Sequence, residues 1–210
     1  MGASEWSDPA HVSHYLTRTA GVERLAEGDR ALLELIGPAT RRVLDLGTGD
    51  GRVLALIAGK LPAIEGVGID SSELMLSAAA ERFAGDSRFT LREHDFAQAL
   101  PDLGVFDAVV SCMAIHHLEH ERKRSLYAEV HAALAPGGTF ANLEHVASPT
   151  RRMHLDFFAA ISEPLQCEDP SDRLLDVATQ LGWLRELGFV EVDCHWKWRE
   201  LALLTGQSPP

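Results

Sequence analysis

The sequence contains few cysteines, and this shortage limits the kinds of site that it can form. Only three cysteines occur among 210 residues, at Cys112, Cys167 and Cys194. Their number is odd, their spacing is wide and no C-x-x-C pair is present. Neither a disulfide framework nor a cysteine-based zinc site is therefore predicted, and a reducing, cytoplasmic setting is expected.

Basic residues and long apolar runs are also scarce. The chain has 19 lysines and arginines against 31 aspartates and glutamates, a net charge of -12. That charge repels a phosphate backbone, so a nucleic-acid partner is disfavoured. The longest nearly apolar stretch, Ala108–Ile115, is too short to cross a bilayer, and Met1–Asp8 lacks the pattern of a secretion signal. No membrane association is therefore expected.

The length of the chain and its alternation of apolar patterns predict one α/β domain over residues 1–210, built on a largely parallel sheet. Short apolar runs read as strands, and segments with helical periodicity lie between them. The predicted strands are Arg42–Leu46, Val67–Asp70, Phe89–Glu93, Phe106–Met113, Thr139–His145, Phe189–Trp196 and Glu200–Leu204. The predicted helices are Pro9–Thr19, Val22–Ile36, Gly51–Gly59, a segment capped by Ser71 or Ser72 that runs to Phe83, Glu119–Leu134, 150–162 and Leu174–Leu184.

A glycine-rich turn after the first predicted strand is the most informative segment. It reads Asp45-Leu46-Gly47-Thr48-Gly49-Asp50-Gly51 and leads into a helix. Glycines let the backbone approach a ligand closely, and the helix start offers free N–H groups. Arg52 stands where the dinucleotide fingerprint needs its third glycine, and Asp45 would disfavour a pyrophosphate. A ligand with an amine and a carboxylate is therefore favoured, although a simple tight connection stays an alternative.

Two more aspartates follow the next two predicted strands. Asp70 ends the second strand, where a carboxylate can accept hydrogen bonds from ribose hydroxyls. Asp95 follows the third strand, beside Phe96, where it can accept a hydrogen bond from an adenine amino group. Each aspartate alone is typical of a solvated strand end. Together with Asp45 they would lie at the carboxyl edge of the sheet, where open α/β sheets bind ligands.

With these features, the chain resembles a class I S-adenosylmethionine-dependent methyltransferase. The resemblance is carried by the glycine-rich turn, Gly66–Asp70, Glu93–Phe96, Phe106–Leu118 and Leu134–Phe140. It implies a Rossmann-like, doubly wound sheet of seven strands, mostly parallel, whose last strand is antiparallel, with N-terminal helices and a small helical insertion after the fifth strand. It also divides the chain into a helical lid (1–38), a cofactor-binding core (39–146), an acceptor-side segment with the last helix (147–188) and a closing strand pair (189–210).

The resemblance further implies which residues bind S-adenosylmethionine and its product S-adenosylhomocysteine. Asp45 and the backbone of the glycine turn would hold the methionine end, Asp70 the ribose, and Asp95 with Phe96 the adenine. Tyr15, on a helix that often closes over the cofactor in this family, would bind the methionine carboxylate or the substrate. The full candidate set is Tyr15, Arg18, Asp45, Gly47, Thr48, Gly49, Gly51, Asp70, Ser71, Met75, Asp95, Phe96 and Cys112.

Methyl transfer is an in-line displacement, so alignment matters most and a base is needed only if the acceptor must lose a proton. His116, His117 and His145 follow the fourth and fifth strands and are the candidate bases; the alternative is that they stabilise backbone groups. No metal site is expected, because neighbouring side chains on extended backbone point in opposite directions and His116 and His117 would not share an ion.

The acceptor is expected to be a small molecule. The segment Ser111–Ala114 lacks the Asn/Asp-Pro-Pro-aromatic signature of some amino methyltransferases, and no proline precedes Cys112, as it would in cytosine-C5 enzymes. Met153, Phe157, Phe158 and Trp183 either wall a substrate pocket or belong to the core. A tRNA-modifying enzyme, a nicotinamide-dependent oxidoreductase and a non-catalytic cofactor-binding regulator stay open as alternatives, as does a homodimer.

Overall fold

The structure is a computed structural model that describes residues 23–210. The predicted first helix, with Tyr15 and Arg18, lies outside the described residues. The strands are β1 (Arg42–Leu46), β2 (Glu65–Asp70), β3 (Phe89–Glu93), β4 (Phe106–Cys112), β5 (Leu134–His145), β6 (Val190–Trp198) and β7 (Leu201–Gln207). The α-helices are α1 (Glu23–Leu35), α2 (Arg52–Lys60), α3 (Glu73–Arg82), α4 (His120–Ala133), α5 (Arg151–Ala160) and α6 (Val177–Glu186), and two 3-10 turns cover Ile115–His117 and Leu165–Cys167.

The seven strands form one sheet in the order β3-β2-β1-β4-β5-β7-β6. Strands β1 to β5 pair in parallel, whereas β7 runs antiparallel to both β5 and β6. The prediction of a mostly parallel sheet with an antiparallel last strand is thus confirmed. The short connection from Trp198 to Leu201 explains the antiparallel ending, because a parallel pair would need a long crossover.

Two apolar layers enclose the sheet. Leu46, Val109 and Phe140 face one layer, which includes residues of α4 and α6. Val43, Val110 and Leu143 face the other, which includes residues of α1 and α2. Burial on both faces explains why β1 and β4 read as nearly continuous apolar runs.

The chain order reverses between β1 and β4, which are neighbours in the sheet although β2 and β3 lie between them in sequence. At such a switch point the connections that follow the two strands diverge to opposite faces and leave a crevice at the carboxyl edge. The glycine turn follows β1 and the segment Met113–His117 follows β4, so both border this crevice. The fold thus brings together the two segments that sequence analysis singled out.

The segment between β5 and α6 packs on the sheet through its two phenylalanines. Thr150 caps α5 by accepting a hydrogen bond from the Met153 N–H at 3.3 Å. Phe157 and Phe158 are buried in a cluster with Leu201. Trp183 packs against the larger core, whereas Met153 is 46% exposed. Phe157, Phe158 and Trp183 therefore belong to the core, whereas Met153 does not. Among residues 23–210, no helix combines the length and the apolar character that a membrane span requires.

Candidate active site

The glycine turn after β1 is a backbone loop that tolerates little side-chain volume. Gly47, Gly49 and Gly51 all have positive φ, at 72°, 53° and 78°. A Cβ atom on Gly47 would lie 2.2 Å from the Cβ of Ala114, which is closer than two non-bonded carbon atoms can approach. The N–H groups of Gly47 and Thr48 both donate to the Ile69 carbonyl, at 2.9 and 3.0 Å. The turn is therefore held against β2 on one side and against the end of β4 on the other.

Asp45 lies fully buried directly before this turn. Its Oδ2 accepts a hydrogen bond from the Thr48 hydroxyl at 2.9 Å, whereas its Oδ1 has no hydrogen-bond partner among residues 23–210. Burial raises the pKa of Asp45 to about 7, although the Thr48 hydrogen bond and the Arg52 charge act in the opposite direction. A buried carboxylate with one unpaired oxygen is suited to a cationic ligand group, because a nearby positive charge favours its ionised form.

Asp70 connects the end of β2 to the glycine turn. Its Oδ2 accepts from the Gly49 N–H and its Oδ1 from the Ser72 N–H, both at 2.9 Å. Burial raises the pKa of Asp70 despite these hydrogen bonds. Each carboxylate oxygen can accept a second hydrogen bond, so these contacts position the carboxylate and leave it able to accept further hydrogen bonds. Of the two predicted caps for the following helix, Ser72 caps α3, and Ser71 does not.

Other predicted cofactor residues also lie around the turn. A Cβ atom on Gly47 would lie 3.5 Å from Cε2 of Phe96, and one on Gly49 would lie 3.6 Å from Cε of Met75. Asp95, next to Phe96, accepts the Ala97 N–H at 2.9 Å. Cys112 is buried at the end of β4, where its Sγ lies 3.2 Å from an Arg52 nitrogen. Burial raises the pKa of the Cys112 thiol to about 12, so it is a neutral packing group.

The three predicted histidines also come together, at the ends of β4 and β5. The His116 ring centroid lies 4.1 Å from that of His117 and 5.7 Å from that of His145. His116 Nδ1 pairs with the Glu144 carboxylate at 2.6 Å, and His145 Nε2 pairs with Glu200 at 3.1 Å. Asp172 lies among them, 3.4–3.5 Å from a ring nitrogen of each histidine. We call His116, His117, His145, Glu144, Asp172 and Glu200 the histidine cluster.

Burial and charge give the cluster's imidazoles different protonation behaviour. Burial and the neighbouring His116 lower the pKa of His117 to about 3. Burial alone would lower the pKa of His145, but the carboxylates of Asp172 and Glu200, which face its ring nitrogens, raise it to about 9. Burial works against ionisation of Glu144 as well, yet the His116 charge and hydrogen bond hold the pKa of that carboxyl below its usual value. At neutral pH, His145 is therefore a cation and His117 is neutral.

One premise of the sequence analysis is wrong here. His116 and His117 were expected on extended backbone with side chains pointing apart, but Ile115–His117 is a 3-10 turn. This backbone places both imidazoles on one side, with a nitrogen of each and an Asp172 oxygen all within 4.8 Å of one another. The stated reason for expecting no shared metal ion therefore does not hold.

Sequence reasoning did not identify Asp172, Glu200 or Lys123 as site residues. Lys123 is buried, and its Nζ donates to the His116 carbonyl at 3.1 Å and to the Arg173 carbonyl. Glu200 is completely buried and contacts both His145 and His154. Ionisable side chains are rarely buried unless they are paired, but their burial is visible only once the distant partners are in place. No local signal in the sequence marked these three residues.

Comparison with known proteins places these features in a family. The family model described as "Methyltransferase domain" matches residues 43–138. An uncharacterized methyltransferase of Mycobacterium bovis is 37% identical over 58% of this chain and 59% of its own length. A trans-aconitate 2-methyltransferase of Variovorax paradoxus is 32% identical over 79% of this chain and 55% of its own length. The chain thus spans between 55% and 59% of the length of these two relatives.

The solved structures share the fold. An O-methyltransferase family protein from Burkholderia thailandensis superimposes with a TM-score of 0.77 at 19% identity, covering 98% of this chain and 62% of that one. A putative methyltransferase solved in complex with the Haloferax volcanii Trm112 activator superimposes with a TM-score of 0.71 at 18% identity, and covers 100% of this chain and 98% of that one. Both have the same arrangement of sheet and helices as this chain.

Proposed function

We propose that this chain, which belongs to the class I S-adenosylmethionine-dependent methyltransferases, transfers the methyl group of S-adenosylmethionine to a small-molecule acceptor. The observation that carries the proposal is the buried Oδ1 of Asp45, which lacks a hydrogen-bond partner among residues 23–210 and lies beside a glycine turn whose Gly47 has no room for a side chain. Such a site suits a ligand that brings a positive charge close to the backbone, as the amino-acid end of this cofactor does.

The residues around the turn fit the rest of that cofactor. Asp70 stands at the end of β2 with spare acceptor capacity for ribose hydroxyls. Phe96 offers a buried aromatic ring and Asp95 a carboxylate at the end of β3. We assign Asp45, Gly47, Thr48, Gly49 and Gly51 to the methionine end, Asp70 to the ribose, and Asp95, Phe96 and Met75 to the adenine side.

The bound cofactor supplies a methyl group on a positively charged sulfur, which is already electrophilic. The chain then has to bind the acceptor, align it with the methyl group and exclude water, and such alignment contributes about 7–11 kcal/mol. We place the acceptor beside the histidine cluster, because Ala114 contacts the glycine turn and His116 follows two residues later. The Glu144 carboxylate holds the His116 ring in one orientation at this position.

A small acceptor is favoured over a macromolecule. The net charge of -12 opposes a nucleic-acid substrate, and the segment between β5 and α6 is packed on the sheet. Relatives named trans-aconitate 2-methyltransferase suggest polycarboxylic acids as the first compounds to assay. The histidine cluster contains three carboxylates, so neutral hydroxy and amino compounds belong in the same panel.

Two measurements test this function. Thermal unfolding is followed with S-adenosylmethionine, S-adenosylhomocysteine or NAD, where a ligand at a hundred times its dissociation constant should stabilise the protein by about 2.7 kcal/mol. We expect the first two compounds, and not NAD, to raise the midpoint. Transfer of labelled methyl groups to the acceptor panel then separates an enzyme from a cofactor-binding regulator. Stabilisation by NAD alone would contradict the proposal.

A further inference from the structure

We propose that His116, His117 and Asp172 form a binding site for a divalent transition metal, with zinc as the ion that fits best. The site lies in the histidine cluster and is separate from the residues assigned to the cofactor. Two imidazoles and one carboxylate are a recurrent ligand set for such ions in proteins and leave a coordination position open.

The spacing of the three ligand atoms is the first argument. His116 Nε2 lies 3.5 Å from Asp172 Oδ1, and His117 Nδ1 lies 3.4 Å from the same oxygen. These separations are long for hydrogen bonds, whose N···O distances are about 2.7–3.2 Å. Ligands about 2.1 Å from a tetrahedral zinc ion are about 3.4 Å from one another. Both contacts of Asp172 Oδ1 have this spacing, and the ligand nitrogens of His116 and His117 lie within 4.8 Å of each other. The three side chains are therefore placed around a common point.

The state of Asp172 is the second argument. Its Oδ1 is buried and has no hydrogen-bond partner in the described part of the chain, and the side chain is only 9% exposed. A buried carboxylate oxygen without a hydrogen-bond partner is costly, because contacts of 3.4–3.5 Å to two imidazoles replace only part of its lost hydration. Its other oxygen, Oδ2, faces His145 Nδ1 at 3.4 Å. A metal ion would compensate Oδ1 and leave the Oδ2 contact with His145 in place.

The surroundings of His116 supply the third argument. Glu144 Oε1 accepts from His116 Nδ1 at 2.6 Å, which fixes the tautomer that presents Nε2 to a metal. His117 Nδ1 contacts the Ser171 hydroxyl at 2.9 Å, and that hydroxyl also donates to Asp169 at 2.7 Å. The metal would replace the Ser171 contact of His117, so Ser171 competes with the ion and does not bind it.

The charge balance agrees with a cation. Three carboxylates are buried here, those of Glu144, Asp172 and Glu200. The nearby buried ammonium group is that of Lys123. Buried charges are tolerated when they are paired or coordinate a metal. A divalent ion would offset the remaining negative charge.

The site also bears on the acceptor, and this step rests on the proposed function. Three protein ligands leave the fourth position of a tetrahedral ion for water or an oxygen atom of a bound compound. Since the segment after β4 contacts the glycine turn through Ala114, that oxygen would be held on the acceptor side of the cofactor. The acceptor class favoured by this arrangement is a compound with a hydroxyl or carboxylate oxygen.

The test is metal binding by the whole chain, first stripped with EDTA and free of cofactor. Zinc is titrated in competition with a chromophoric chelator, and cobalt is titrated while the visible absorption of tetrahedral Co²⁺ is recorded. We expect one ion per chain and a cobalt spectrum of tetrahedral intensity. Glu144→Gln should weaken zinc binding about 10–100-fold. Asp172→Asn and His116→Gln, which remove ligand atoms, should weaken it more, whereas Ser171→Ala should bind at least as tightly as the unchanged chain.

His131→Gln is the matched control, because His131 is another histidine with a buried Nε2 that lacks a partner among residues 23–210 but packs on Phe189, away from the cluster. It should bind zinc like the unchanged chain. Circular dichroism checks that each variant is folded. If a ligand variant unfolds, the zinc affinities of Ser171→Ala and Glu144→Gln test the site in its place. Absence of tight zinc binding by the unchanged chain, or equal binding by Asp172→Asn, would overturn the proposal. Cofactor binding by the stripped protein is measured separately, so failure of the metal site and failure of the proposed function give different results.

Discussion

Thr48 donates its hydroxyl hydrogen to Oδ2 of Asp45 at 2.9 Å, three residues back along the chain, while Oδ1 of the same carboxylate has no hydrogen-bond partner within the described part of the chain. The hydrogen bond holds the carboxylate in one orientation at the start of the glycine turn. The orientation is thus set before any ligand arrives, and the unpaired oxygen is the part that a ligand can use. This relationship connects the local sequence to the binding of a charged group and leads to the first two predictions.

Asp45→Asn should weaken S-adenosylmethionine binding. The amide keeps the shape of the side chain but removes the charge, and a hydrogen bond to a charged group contributes about 1.5–3 kcal/mol. We therefore expect about a 10–100-fold higher dissociation constant by calorimetric titration. Asp156→Asn, on the exposed face of α5, is the control and should bind like the unchanged chain. Equal affinity of Asp45→Asn and the control would remove Asp45 from the cofactor site.

The same substitution should alter how the stability of the ligand-free protein depends on pH. The pKa of Asp45 is raised by burial from 3.8 to about 7, so the folded state binds this proton more tightly than the unfolded state does. The contribution of Asp45 to stability is therefore full below pH 3.8 and is lost as the pH rises towards 7. The free energy of unfolding in urea should therefore fall less for Asp45→Asn than for the unchanged chain when the pH is raised from 5 to 7. Parallel pH profiles for the two proteins would contradict the raised pKa.

Gly47→Ala should destabilise the fold for two separable reasons. Positive φ costs a residue with a side chain about 1–2 kcal/mol, and the new Cβ would lie 2.2 Å from the Cβ of Ala114. Gly49→Ala shares the positive φ but would meet only the flexible end of Met75, at 3.6 Å. Urea unfolding should therefore show a loss of about 1–2 kcal/mol for Gly49→Ala and a clearly larger loss for Gly47→Ala.

The double variant Gly47→Ala with Ala114→Gly separates these two causes. Removal of the Ala114 methyl group relieves the clash and leaves the backbone strain, so the double variant should be more stable than Gly47→Ala alone. If the destabilisation of the double variant instead equals the sum of the effects of Gly47→Ala and Ala114→Gly, the two methyl groups do not meet.

The cofactor side of the site was predictable because its determinants are local. Asp45, Gly47 and Gly49 lie within five residues, and each has a role that depends on its own backbone or on the strand before it. Asp70 could be found for the same reason, since it ends an apolar strand. Apolar periodicity likewise predicted every strand of the sheet, with errors of up to five residues at the ends.

The histidine cluster depends on distant contacts and was only partly predictable. His116 and His145 could be named as residues that follow strands, but Asp172 and Glu200 reach them across 56 and 55 positions of sequence. The start of β5 was also missed, because Pro136-Gly137-Gly138 reads as a turn, whereas Leu134 already pairs with Phe106. The cluster residues and the start of β5 depend on burial by segments that are distant in sequence. The pattern of a single sequence does not show which distant segment buries a residue.

His145 should give the protein a second dependence of stability on pH, in a different range from that of Asp45. Despite its burial, the neighbouring carboxylates of Asp172 and Glu200 raise its pKa from 6.5 to about 9. A raised pKa on a base means that its contribution is full below pH 6.5 and is lost as the pH rises through 9. The free energy of unfolding should therefore fall between pH 7 and pH 9 in the unchanged chain. His145→Gln should be less stable than the unchanged chain at pH 6, and its stability should fall less between pH 7 and pH 9. Asp45→Asn should show the same fall as the unchanged chain. A fall of equal size in His145→Gln would assign the pH dependence to another group.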